Sequence, residues 1–197
     1  MPLETPSEAD FAGGQLYRLG WAFYLLLGLA GIVWVGLREG EIHVDLFFSS
    51  VSWMRDAAVG VGSAGVLLLL WYGLDRVLPL ARALKARLRS AIGPLDSGEA
   101  LGLALLSGFC EEFFFRGAVQ GSWGWLIATV LFAALHTGRE RSFWVWTVFA
   151  GVAGLLFAWL TIWTGNLLAP ILGHALLNAV SLRQLAGGGD EPDQGQE

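Results

Sequence analysis

The chain is poor in charge. Asp, Glu, Lys and Arg make up 15% of its 197 residues, against about 25% in a soluble domain. Its single cysteine, Cys110, rules out an internal disulfide and reads as inert packing. There is no internal repeat and no His-Glu-x2-His zinc signature. A basic excess is also missing: the formal charge is −5, partly carried by the two acidic ends, so no nucleic-acid partner is expected. The N-terminus lacks the basic region that opens a secretory signal, and its first apolar run is read as retained.

What is plentiful is apolar. Hydrophobic residues reach 55%, with ten tryptophans and 27 glycines, and the mean hydropathy is +0.57. Tryptophan favours bilayer interfaces and glycine favours close helix contact, so the composition predicts an all-α, polytopic membrane bundle. About six transmembrane helices are expected: Leu19–Leu37, Ala57–Leu74, Ser97–Gln120, Trp125–His136, Phe143–Trp163 and Leu167–Leu185. Gly60, Gly62 and Gly65 are available for helix contact, and Gly121–Gly124 and Thr164–Asn166 read as turns. Between the second and third spans, Asp75–Leu95 alternates five basic residues with leucines and predicts an amphipathic helix on an anionic membrane surface. The domain reading is a disordered acidic tail over 1–18, one transmembrane domain over 19–185 with its motif core at 97–185, and a disordered acidic tail over 186–197.

With six spans, nine of the twelve Lys and Arg residues fall on the side that holds both termini. The positive-inside rule then places both termini in the cytoplasm of a multi-pass protein, with a prokaryotic inner membrane as the expected location. Nine tryptophans, all but Trp159, fall near predicted span ends as an aromatic belt requires.

Few polar groups lie at depth, and they lie together. Glu111, Glu112 and Arg116 sit in the third span, Phe132 and His136 share a face of the fourth, and His174 and Asn178 share a face of the sixth. On a helix Arg116 lies about 40° from Glu112 and about 140° from Glu111, so Glu112 is its partner and Glu111 looks elsewhere. Counted from the span ends, these groups lie roughly 12–18 Å deep, near the middle of a core about 30 Å thick. Singly, a buried His or Asn serves an interhelical hydrogen bond, and Glu112–Arg116 could be a structural bridge. Six such groups at one depth predict an active or transport site.

The three motifs are Glu111-Glu112-Phe-Phe-Phe-Arg116, Phe132-Ala-Ala-Leu-His136 and His174-Ala-Leu-Leu-Asn178. In this order, on successive apolar segments, they resemble the CAAX-protease and bacteriocin-processing (CPBP, or Abi) family of intramembrane proteases. The resemblance covers Ser97–Leu185 and implies hydrolysis of a peptide bond in a membrane-anchored protein or peptide. It implies that Glu111 and His136 activate water, that His174 and Asn178 hold the oxyanion, and that Arg116 fixes Glu112. Sorting-signal or leader-peptide processing is the implied role. Three other readings stay open: a zinc protease with Glu111, His136 and His174 as ligands, a transporter or proton relay, and a non-catalytic scaffold or immunity protein. A metal-free site is favoured, because Asn is a poor zinc ligand and a good oxyanion donor.

Overall fold

The computed structural model describes the backbone of residues 8–49 and 51–186 and the side chains from Tyr17 onward. Seven helices account for most of these residues: α1 Glu8–Glu39, α2 Trp53–Val77, α3 Pro79–Ile92, α4 Ser97–Glu112, α5 Gly121–Leu135, α6 Phe143–Thr164 and α7 Leu168–Ala186. α4 continues without a break into a π-helical stretch, Phe113–Gln120. Among the described residues, four stretches are long and apolar enough to cross a bilayer: Tyr17–Glu39, Trp53–Val77, Ser97–Leu135 and Phe143–Thr164. The third of these is 39 residues long, about twice what one crossing needs. Gly124 breaks it with φ 85° and ψ 167°, a conformation that suits only glycine.

The two arms fold back on each other. Phe115 and Phe132 stack edge to face at 5.3 Å, and Glu111 and His136 meet one turn further from the bend. The expected antiparallel third and fourth spans are therefore present. α7, expected as a sixth span, is not among these four and is less apolar because it carries His174, Asn178, Ser181 and Arg183. It is shielded between α2 and α4. A Cβ on Gly60 would lie 3.1 Å from Ala169 Cα, and one on Gly108 would lie 2.8 Å from Ala175 Cα. Glycine at those two positions lets the backbones approach. Gly62 and Gly65, expected to share that role, face open space.

Local chemistry explains most of the helix ends. Asp96 caps α4 by accepting from Glu99 N at 2.8 Å, while the Glu99 carboxylate accepts from Asp96 N at 3.0 Å, a capping box. Gly165 ends α6 in the left-handed region at φ 74°. Asn166 ties the next turn together, donating to the buried Asp56 at 2.7 Å and accepting from Leu168 N at 2.9 Å. Arg38 donates to the carbonyls of Ala118 and Gly117 at 2.9 and 3.1 Å, which closes the π-helical stretch.

Two expectations need correction. Glu8–Arg18 belongs to α1 and is not a disordered tail, because extending an established helix costs no new nucleus. Residues 1–7 and 187–197 lie outside the described residues. The amphipathic segment is also differently placed. Asp75–Val77 completes α2, and α3 starts at Pro79, where a missing N–H costs nothing. α3 turns Ala81 and Leu84, both fully buried, onto the bundle. Its charges are engaged within the chain: Lys85 with Asp75, Arg87 with Glu140, and Arg89 with the carbonyls of Gln184 and Leu185. α3 thus lies across one end of the bundle as an amphipathic helix, with Ala81 and Leu84 turned inward and Leu78 and Leu80 left exposed.

Candidate active site

A cavity of about 530 Å³ opens beneath α3, between α1, α4 and α7. Its walls are mostly leucine and aromatic, and its polar floor consists of Tyr24, Ser107, Glu111, His136 and Asn178. Glu111 leaves α4 toward this space and remains only 5% exposed. Its Oε2 has no hydrogen-bond partner and lies 3.9 Å from His136 Nε2. That separation is too long for a direct hydrogen bond and suits an oxygen atom held by both groups.

His136 is oriented from behind. Its Nδ1 lies 2.8 Å from Phe132 O, a carbonyl that can only accept. The ring proton therefore sits on Nδ1, and Nε2 carries a lone pair toward Glu111. Trp146 packs edge-on against the ring at 5.2 Å. Asn178 donates through Nδ2 to Ser107 Oγ at 2.8 Å, which leaves its second amide hydrogen for the cavity.

The neighbouring carboxylate turns the other way. Glu112 is fully buried, with Oε2 3.1 Å from Arg116 Nε and Oε1 2.7 Å from His174 Nδ1. Arg116 also donates to Gly154 O at 3.1 Å, and its guanidinium lies 4.5 Å from the Phe132 ring centroid. His174 is stacked on Phe157 at 5.4 Å and 3% exposed. Phe132 touches both histidines, with centroids 4.6 Å from His136 and 5.8 Å from His174. The site thus has two layers. Glu111, His136 and Asn178 face the cavity; Glu112, Arg116, His174 and Phe132 form a sealed support behind them.

The helical spacing foresaw the Glu112–Arg116 pair and the divergence of Glu111. It did not foresee that His174 is held by Glu112, nor that Tyr24 reaches the floor from α1, with its hydroxyl against Glu111 and Ser107. A lone tyrosine amid the apolar first span was the available signal. Among the described residues, no three His, Cys, Asp or Glu side chains gather as a metal-binding group. Glu111 and His136 converge, whereas His174 is turned to Glu112.

Residues 95–180 match the family model described as type II CAAX prenyl endopeptidase Rce1-like. The chain is also 37% identical over 83 residues to a Bacillus subtilis (strain 168) protein described as uncharacterized protein YpbD. That alignment takes in 42% of this chain and 43% of the relative, so it spans less than half of the relative's length. No solved structure matches the chain. The family match encloses both layers of the site and leaves α1, α2 and α3 outside it.

Proposed function

Starting from residues 95–180 as a core of the CAAX-protease type, we propose that the protein is an intramembrane endopeptidase. The observation that carries this reading is the Glu111–His136 pair, two proton acceptors 3.9 Å apart on the floor of a largely apolar cavity. A water between them donates one hydrogen to Glu111 Oε2 and the other to His136 Nε2, so a lone pair is free to attack. The water oxygen bonds to the peptide carbonyl carbon, and Glu111 takes the proton. The negative charge that forms on the carbonyl oxygen meets Asn178, whose spare amide hydrogen faces the cavity. His174 gives Nδ1–H to Glu112, so its Nε2 donates only when the ring is an imidazolium. Glu111 then returns the proton to the amide nitrogen, the C–N bond breaks, and a carboxylic acid and an amine leave, the acid passing its remaining proton to the amine.

Glu112 and Arg116 act through position. Their pair neutralises two buried charges and fixes the ring of His174. The apolar walls favour a substrate with an apolar or membrane-anchored segment, as in sorting-signal or leader-peptide processing. The basic residues collected at the α3 end favour a cytoplasmic location for both termini. The test uses the protein in lipid nanodiscs with a panel of internally quenched peptides carrying apolar C-terminal halves. Glu111→Gln is expected to abolish cleavage at normal protein level, and Cys110→Ala to remain active. Full activity in Glu111→Gln would overturn the assignment, and ion flux in proteoliposomes without cleavage would favour a transporter.

A further inference from the structure

Every residue in the proposed reaction comes from the segment that matches the family model. The cavity floor does not end there. α1 lies along α4 with a regular offset: a Cβ on Gly20 would meet Leu103 at 3.3 Å, one on Gly28 would meet Cys110 Sγ at 3.0 Å, and one on Gly31 would meet Phe113 at 3.0 Å. The two helices therefore run parallel in close contact. Tyr24, one turn beyond Gly20, falls opposite Ser107 and Glu111 by the same register. Its side chain lines the same cavity floor as both, with the hydroxyl turned toward them. Glu111 Oε2 has no hydrogen-bond partner, so a phenol hydrogen given to Oε1 would hold one carboxylate oxygen and leave the other free.

We propose that Tyr24 is a positioning residue for Glu111: its phenol restrains the carboxylate so that Oε2 stays directed at the oxygen shared with His136. This rests on the hydrolytic reading above and extends the working site to a helix outside the matched segment. The chain of contacts from Asn178 through Ser107 to Tyr24 and Glu111 also joins the oxyanion donor to the base. Without the phenol, a carboxylate in a cavity this size can rotate away from His136, so the loss falls on the chemical step and spares substrate binding.

The experiment compares three rings at position 24 in nanodiscs: tyrosine, phenylalanine, and p-aminophenylalanine, which keeps an N–H donor. With the quenched-peptide probe, Tyr24→Phe is expected to lower kcat about ten- to hundredfold, the worth of one hydrogen bond to a charged group. KM and thermal unfolding should stay near the parent values, and p-aminophenylalanine should restore most of kcat. A purely structural tyrosine would move KM or stability instead. Infrared spectroscopy gives a readout that needs no turnover. The carboxylate band of Glu111, identified by its loss in Glu111→Gln, is expected to shift in Tyr24→Phe. Parent kcat in Tyr24→Phe, or an unmoved Glu111 band, overturns the inference. If Glu111→Gln is inactive while Tyr24→Phe is normal, only the role of Tyr24 falls. If Glu111→Gln is active, the hydrolytic reading itself falls.

Discussion

Glu112 reaches from α4 to α7 and binds His174 at 2.7 Å, while Glu111, its neighbour in sequence, faces the cavity. Two adjacent carboxylates therefore have different structural consequences when removed. Glu112→Ala leaves Arg116 buried with no carboxylate and should cost about 3–5 kcal/mol. Glu111→Ala removes a carboxylate whose Oε2 has no hydrogen-bond partner and no buried cation beside it, and should change stability far less. Thermal unfolding in mild detergent is expected to show a large drop in Tm for the first and a small one for the second. Equal drops would mean that both carboxylates are structural.

The α4–α7 contact makes a second prediction. Ser107–Asn178 and Glu112–His174 both bridge these helices, on either side of Gly108. A methyl group there would fall 2.7 Å from the Ala175 backbone nitrogen, which cannot move aside. Gly108→Ala should cost about 1–3 kcal/mol through overpacking and lower activity by spreading both bridges. Gly62→Ala, facing open space on α2, is the matched control and should be neutral in the same unfolding and cleavage assays.

Much of this site was legible because its logic is local. The i,i+4 rule paired Glu112 with Arg116 and put Phe132 with His136, and a glycine-rich turn predicted the hairpin at Gly124. The Glu112–His174 bond depends on how closely α4 and α7 approach, which Gly108 and Ala175 decide together from distant parts of the chain. Tyr24 stands out as the one tyrosine of the apolar first span, but its neighbours on α4 lie more than 80 residues away and nothing in that span marks the register. The leucines and basic residues of α3 foretold an amphipathic helix, but not where it starts or that its charges pair with Asp75, Glu140 and the α7 carbonyls.

The Arg87–Glu140 pair holds α3 to the loop that follows His136. A hydrogen bond from Arg87 keeps the Glu140 carboxyl below the ordinary glutamate range, and the same bond raises Arg87. A depressed carboxylate contributes above its unfolded value and is lost as the pH falls through the folded one. The clasp is therefore expected to be intact at neutral pH and to open below the usual carboxylate range. Maleimide labelling of Leu177→Cys, on the cavity wall, in a Cys110→Ala background should quicken several-fold in Arg87→Ala and in Glu140→Gln. Labelling at acidic pH, corrected for thiolate content, should bring the parent up to the same rate. If neither variant changes the rate, α3 does not limit access.

Metal dependence is the remaining choice, and the donor geometry gives it a specific form. Zinc binds imidazole and carboxylate at about 2.0–2.2 Å and needs three protein ligands to leave one position for water. Glu111 and His136 could close on an ion with a modest shift. The third ligand would have to be His174, whose Nδ1 is held by Glu112 and whose ring is packed between Phe132 and Phe157. Recruiting it through Nδ1 would break that bond and leave Glu112 to Arg116 alone. The metal-free route needs no such rearrangement. Protein dialysed against a strong chelator and shown by elemental analysis to be free of metal is therefore expected to keep its cleavage activity. Activity that disappears with the metal and returns with one equivalent of zinc would reverse this conclusion, and Glu111, His136 and His174 would become the ligands to test.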